Sequence, residues 1–304
     1  IAVLEKNMDL ATVSKLPLDD VINGRTSTLI DSILIREADR AGIAVPLTGG
    51  FKKDKQIECG YVHTIDPGLY DWVCILDFKS MYPSLIIAKN ICFTTLSKEG
   101  KIISPEPGVK YLDKGIRIGL LPQVLERLME DRDKTKKQMR EAENPDEKRY
   151  YDGLQAAIKV LMNAFYGVFA SAFYRFTNPK IGASITAFAR ENTKAIISQL
   201  EDEGMRVIYG DTDSVFFQSP EDNLEGALEE GKAIAKRYSM EGATLEFEKI
   251  INPLFSHGAK KRYVGNVVWP EEEMIVRGYE TRRTDAFNAQ SAALESIFEM
   301  ILDH

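Results

Sequence analysis

Carboxylates set at the ends of short, intensely apolar runs constrain this chain more than any other feature of its sequence. Trp72 to Phe78 is a run of β-formers built around Val73-Cys74-Ile75-Leu76, with Asp77 at its end. Further on, Val207-Ile208-Tyr209 and Val215-Phe216-Phe217 flank Gly210-Asp211-Thr212-Asp213-Ser214. The first run predicts a buried strand that opens into a turn, and the second pair predicts two strands joined by an acidic turn. Singly, each acid has a bland explanation, since Asp tolerates the left-handed region and bonds its own backbone in turns. Packed together on an apolar scaffold, unpaired carboxylates are strongly unfavourable, and cations must neutralise them. Hard carboxylate oxygens suit Mg²⁺, and two such ions about 3.5–4 Å apart can stabilise both the attacking and the leaving oxygen of an in-line displacement. Phosphoryl or nucleotidyl transfer is the chemistry these residues point to.

Other chemistries fit poorly. Counting Asp211 as the first position of a calcium loop puts Phe216 where Gly is needed and Asp222 where Glu is needed. Gly100-Lys101 and Gly231-Lys232 lack the Ser or Thr of a P-loop, and none of the three histidines, His63, His257 and His304, belongs to an HExxH motif. The three cysteines, Cys59, Cys74 and Cys92, suit a reducing compartment better than a disulfide framework. The apolar runs fall well short of the roughly 18 residues of a membrane span, so the expectation is an intracellular protein with no membrane partner, cytoplasmic and nucleoid-associated if prokaryotic. The chain starts at Ile1 without a signal sequence, which reads as a cut within a longer polypeptide.

With 304 residues, 44% hydrophobic and 28% charged, the chain has room for two domains or one large mixed one. Its net charge of −7 argues weakly against a nucleic-acid partner, but distribution matters more than the sum. Basic residues gather at Arg132 to Arg149, at Lys260-Lys261-Arg262, and at Arg277 with Arg282-Arg283, whereas acids gather at Glu221 to Glu230 and Glu271-Glu272-Glu273.

Helical spacing is expected over residues 27–44, from near Ser84, over 121–142 and 147–170 as an antiparallel hairpin broken at Asn144-Pro145-Asp146, over 185–203 with a stop at Gly204, over 224–238 and over 286–302. Strands are further expected over 244–251 and 262–269. On the hairpin, Arg132 and Lys136 share one helix face, as do Lys159, Asn163 and Tyr166. The first pair reads most simply as solvent-exposed charge. Lys159 differs, because Ile158, Val160, Leu161, Phe165, Ala156, Ala157, Ala164 and Gly167 surround it, a segment too apolar for a solvent face. A cation there wants an anion.

Asp77-Phe78-Lys79-Ser80-Met81-Tyr82-Pro83-Ser84 resembles the first palm motif of the B-family DNA polymerases, of archaeal replicative type. Lys159-Val160-Leu161-Met162-Asn163-Ala164-Phe165-Tyr166-Gly167 resembles the finger-helix motif, Tyr209-Gly210-Asp211-Thr212-Asp213-Ser214 the second palm motif, and Lys260-Lys261-Arg262-Tyr263 the downstream basic motif. The resemblance runs from about Thr26 to Arg283. It implies template-directed addition of dNTPs to a primer 3′ end with two Mg²⁺ ions, Mn²⁺ being a substitute. Asp77, Asp211, Asp213 and Lys159 would be catalytic, and Asp77, Asp211, Asp213 and the Phe78 carbonyl would be metal ligands. Ser80, Met81, Tyr82, Arg132, Lys136, Lys159, Asn163 and Tyr166 would bind the nucleotide, with Tyr82 as the sugar gate that leaves no room for a 2′-hydroxyl. Gly49, Gly50, Gly167, Lys260, Lys261, Arg262, Tyr263, Arg277 and Gly278 would meet primer–template DNA. Ile57 and Cys59 stand where an aromatic and a Gly are usual, and Ala164 replaces a common Ser; both departures touch detail rather than class.

The implied fold is α+β, an antiparallel-sheet palm backed by helices with a two-helix antiparallel fingers insertion. Its expected division is 1–46 as a remnant of the exonuclease side and a linker, 47–120 and 173–283 as palm, 121–172 as fingers, and 284–304 as the start of a thumb or a partner-binding helix. No proofreading exonuclease is expected in this chain. The thumb would come from a second polypeptide, as in split polymerases of the family, or from a C-terminal continuation, and a sliding clamp is a further partner the resemblance allows. Two rivals are a non-catalytic palm, which has no reason to keep the carboxylates, and a primase or RNA polymerase palm, which conflicts with Tyr82.

Overall fold

The computed structural model describes residues 2–47, 57–58, 60–171, 174–240, 242–279 and 287–303. Its elements begin with α1 (Ala2–Ser14), α2 (Leu18–Asn23) and α3 (Thr26–Arg40), followed by β1 (Val62–His63), β2 (Gly68–Tyr70), β3 (Val73–Phe78) and α4 (Met81–Ala88). A small hairpin, β4 (Ile102–Ile103) and β5 (Lys110–Tyr111), precedes the long helices α5 (Leu120–Glu141), α6 (Pro145–Ala170) and α7 (Pro179–Asp202). Then come β6 (Arg206–Asp211), β7 (Ser214–Gln218), α8 (Leu224–Tyr238), β8 (Leu245–Ser256), β9 (Tyr263–Trp269), β10 (Glu273–Arg277) and α9 (Asn288–Leu302). The chain divides into two compact units, one of Ile1–Cys59 with Tyr82–Phe188, the other of Gly60–Met81 with Ala189–His304.

The first unit is helical. Asn144-Pro145-Asp146 breaks the long helical stretch as expected, but as a cap: the Asn144 side chain accepts from the Asp146 amide at 2.8 Å, Pro145 takes the first helical position, and Asp146 and Glu147 meet the helix dipole. Helix α6 therefore starts two residues earlier than its spacing suggested. Leu120, Leu121, Val124 and Leu125 bury the first half of α5, and Ile158, Leu161, Met162, Phe165 and Phe169 bury one side of α6. By length and composition α6 could cross a membrane, yet it carries Lys159 and packs against α5, α1 and α3. Helix α1 was not anticipated, because its apolar residues do not form a single stripe: Val3, Leu4 and Met8 are exposed. Helix α7 begins at Pro179 rather than Ile185, since the Asn178 side chain accepts from the amides of Lys180 and Ile181 at 3.1 and 3.3 Å.

The second unit is built on an antiparallel sheet of order β1-β6-β7-β3-β8-β9-β10, with β2 also paired to β8. Strand β8 runs five residues beyond the expected end, to Ser256, and irregular register at Ile251 and Leu254 accommodates Pro253. Strand β10, which was not anticipated, begins at Glu273 within the acidic tract. Val73, Ile75, Tyr209, Phe216, Ile251, Leu254 and Val267 form the core cluster. Helix α8 packs on β3 and β8, where a side chain on Gly231 would fall 2.2 Å from the Phe247 ring. There the Cys74 thiol donates to the Ala227 carbonyl at 3.5 Å, and burial pushes its pKa up to about 12, which leaves it inert as a nucleophile.

Candidate functional site

Strand alternation puts Asp77 on the face of Val73 and Ile75, and Asp211 on the face of Tyr209. Register then aligns them. Asp211 lies opposite Ser214, Ser214 opposite Asp77, and Asp77 opposite Glu246, so one row crosses β6, β7, β3 and β8 with Ser214 as a small spacer between the two aspartates. Residues directly opposite in antiparallel strands have β-carbons about 4.5–5.5 Å apart. The acidic turn is fixed from several sides: the Phe78 amide donates to the Asp213 carbonyl at 2.7 Å, the Thr212 amide to the Tyr61 carbonyl at 2.8 Å, and the Thr193 hydroxyl to the Thr212 carbonyl at 2.9 Å.

Positive charge meets this row from the turn between β8 and β9. Lys261 Nζ lies 3.0 Å from Asp211 Oδ1, and the Lys261 amide donates to Tyr209 Oη at 2.9 Å. The same phenol donates to Asp211 Oδ2 at 3.3 Å, and Thr212 Oγ1 donates to Asp211 Oδ1 at 3.2 Å. At the other end, Lys79 Nζ stands 3.8 Å from Glu246. Asp213 is exposed at the turn, yet the partial desolvation it suffers there raises its pKa, its own backbone amide opposes, the charges of Asp211 and Glu248 add to the rise, and Lys261 opposes. Burial likewise raises the Tyr263 phenol, with Arg277 opposing and Glu248 and Asp211 reinforcing. Ser80, Thr212 and Lys261, half of the non-glycine residues with positive φ among the described ones, all border this row. Backbone held in so sparsely populated a region is typical of functional sites.

In the helical unit the structure brings Tyr82 of α4 and Tyr166 of α6 together, ring centroids 4.6 Å apart. Lys159 and Asn163 share one face of α6, but that face is exposed, together with Val160 and Gly167. The expectation that Lys159 sits in a segment too apolar for solvent is thus corrected. Its apolar neighbours Ile158 and Leu161, at i−1 and i+2, are buried on another side of the helix. Arg132 is half-buried, and its Nε and Nη2 donate to Gln155 Oε1 at 3.3 and 3.2 Å, cross-linking the hairpin. Lys136 is half-buried on the same helix. Lys260, Arg277 and Gly278 are exposed, and Arg262 is half-buried. Gly49 and Gly50, with Cys59, Arg282 and Arg283, lie outside the described residues.

The model of DNA polymerase family B matches residues 16–304. The chain belongs to the family-B DNA polymerases. It is 30% identical, over 94% of its length, to a DNA polymerase delta catalytic subunit of Mesocricetus auratus, covering 28% of that protein. It is 30% identical over 97% of its length to a DNA polymerase 1 of Pyrococcus abyssi, and 31% identical over 94% to a DNA polymerase of Thermococcus sp. (strain 9oN-7), covering 39% and 38% of those proteins. The chain therefore spans well under half the length of these relatives, which come from both archaea and eukaryotes.

Reasoning from the sequence of this family-B chain missed Glu246, Glu248 and the linking role of Tyr209. The alternation Glu246-Phe247-Glu248 on a strand was the available signal, since period two sends both acids to one side. Among the described residues no three His, Cys, Asp or Glu side chains are gathered into a ready-made ion cage. Mg²⁺ does not need one, because it ordinarily takes one or two carboxylates and completes its shell with water and substrate phosphates. Asp77 and Asp211 in one row, with Asp213 on the adjoining turn, supply hard carboxylate oxygens that fit such an ion, and the Lys261 ammonium resting on Asp211 shows that the row accepts a cation.

Proposed function

We propose that this chain is the palm-and-fingers part of an enzyme that adds deoxynucleotides to a primer 3′ end under template direction. The observation that carries the reading is the row of Asp211, Ser214, Asp77 and Glu246 across four strands, with Asp213 on the adjoining turn, in a family-B chain. Residues 47–120 and 173–283 would be palm, 121–172 fingers, and 284–304 the beginning of a thumb or of a surface that meets one. Asp77, Asp211 and Asp213, with the Phe78 carbonyl, would hold two Mg²⁺ ions or Mn²⁺ in their place. Such ions, when bound, stabilise the attacking and leaving oxygens of a phosphoryl displacement.

The remaining work falls to side chains. Lys159 and Asn163, exposed on one helix face, would bind the triphosphate, and Lys159 would give a proton to the departing pyrophosphate. Lys136 and Arg132 would extend that cradle, Arg132 by exchanging its neutral Gln155 partner for a phosphate oxygen. Tyr82, braced by its tilted ring contact with Tyr166, would close the space a ribose 2′-hydroxyl needs, beside Ser80 and Met81. Gly49, Gly50, Gly167, Lys260, Lys261, Arg262, Tyr263, Arg277 and Gly278 would follow the duplex through phosphates and groove edges, contacts that position rather than specify. A protein with these substrates works inside the cell, in company with a thumb-bearing polypeptide or segment and a sliding clamp.

The test is Mg²⁺-dependent extension of a labelled primer–template at low salt, with dNTPs and then rNTPs. Extension with dNTPs alone, lost in Asp77→Asn and widened to rNTPs in Tyr82→Ala, is the expected result. Extension that survives Asp77→Asn would refute the metal assignment, and DNA binding without any extension, even with a thumb polypeptide supplied, would refute the enzyme.

A further inference from the structure

Lys261 is held unusually firmly for an exposed residue. Its amide is bonded to the buried Tyr209 phenol, its φ is +64°, and its carbonyl abuts Gly278 so closely that a β-carbon there would fall 2.0 Å from it. The turn around it is braced again where the Ser256 hydroxyl accepts from the Gly258 amide at 3.1 Å and the Arg262 amide donates to the Ala259 carbonyl at 3.2 Å. This fixed backbone delivers a side chain that is 62% exposed, with its ammonium against Asp211. Asp211 thus receives three donors: Tyr209 and Thr212, both on short stems in or beside its own strand, and Lys261 on a long flexible one. Of the three, only Lys261 reaches Asp211 from outside its own hairpin and only Lys261 brings a charge that a divalent cation would displace.

From this we infer that Lys261 is an exchangeable counter-ion: its ammonium occupies Asp211 when no divalent cation is bound, steps off when one binds, and is then free for a nucleic-acid phosphate. Divalent-cation binding and primer–template binding are consequently coupled through one side chain, each favouring the other by the same factor. Both halves of this inference rest on the proposed function, the cation half on its metal assignment at Asp211 and the nucleic-acid half on its substrate.

Titration of Mn²⁺ at low salt, with free ion followed by electron paramagnetic resonance, tests the cation half on the protein alone. Lys261→Gln is expected to bind Mn²⁺ about two- to fivefold more tightly than wild type, the worth of an exposed ion pair. Lys260→Gln makes the same change in net charge without touching the pair and is expected to shift far less; equal gains in the two variants would overturn the exchange. The coupling is read by fluorescence anisotropy of labelled primer–template with and without Mg²⁺, no dNTP being present. Mg²⁺ should strengthen DNA binding about two- to fivefold more in wild type and Lys260→Gln than in Lys261→Gln, and an equal gain in all three would overturn the coupling. Asp211→Asn separates the failures. Mn²⁺ binding insensitive to it would sink the metal assignment of the proposed function, whereas binding that depends on Asp211 but ignores Lys261 would sink the exchange alone.

Discussion

Gly278→Ala isolates how much of the site's geometry depends on one missing side chain. At φ +72° an alanine suffers left-handed strain of about 1–2 kcal/mol. Its β-carbon would also lie 2.0 Å from the Lys261 carbonyl oxygen and 3.0 Å from Arg262 Cγ, and backbone oxygen offers no flexible end that can yield. Overpacking of this kind adds about 1–3 kcal/mol. Gly204→Ala supplies the matched comparison, because Gly204 has φ +81° with nothing within 4 Å of a β-carbon, so it meets strain without collision. Urea unfolding of the two variants at constant m-value gives both free energies. Gly278→Ala should be the more destabilised by about 1–3 kcal/mol. Equal losses would refute the reasoning that Gly278 exists to admit the Lys261 backbone.

Tyr209→Phe leaves the Lys261 amide without its acceptor and should cost about 1–2 kcal/mol in urea unfolding; an unchanged midpoint would mean that this hydrogen bond is not holding the turn. Asp213 carries a raised pKa, so just above the ordinary carboxylate range the native chain keeps a proton that the unfolded chain has lost, and stability falls as pH rises through that window. Metal-free Asp213→Asn should therefore be more stable than wild type near neutral pH, with the gap closing in acid as both states of wild type protonate; a gap that widens in acid would reverse the assignment. Arg175 lies 3.4 Å from Asp31 of α3 and donates to the Pro46 carbonyl at 2.9 Å, and Arg175→Ala should destabilise by about 1–3 kcal/mol, read by thermal unfolding, because it leaves the half-buried Asp31 without that partner.

The strands were legible because short apolar runs of β-formers bounded by turn residues have few other readings, the acids stood out only as a set, and the antiparallel mixed fold came with the resemblance of the motifs around them to the family-B polymerases. The long hairpin of α5 and α6 was legible for the same kind of reason, a sustained helical period with a proline-bearing break. What stayed hidden was whatever register decides. Nothing local in Glu246 says that it will face Asp77, 169 positions earlier in the chain, nor that Ser214 will stand between Asp77 and Asp211. The environment of Lys159 was misread because neighbours in sequence were taken for neighbours in space, which a helix forbids. Helix α1 left too weak a stripe to be seen, and Asn178 and Asn144 capped helices earlier than apolar spacing alone indicates.

The sheet order has a consequence for how the chain reaches this state. Strand β3 is inserted between β7 and β8, and both partners arrive more than a hundred residues after it is made. Such distant pairings are slow, because the loop must close before the contacts reward it. Until β7 and then β8 pair with β3, Asp77, Asp211 and Glu246 belong to separate parts of the chain and their charges scarcely feel each other. Repulsion among the acids therefore arises only with these long-range pairings, the same pairings that bring Val73, Ile75, Phe216 and Ile251 into one core. A sheet that gathered its acids early would resist its own assembly.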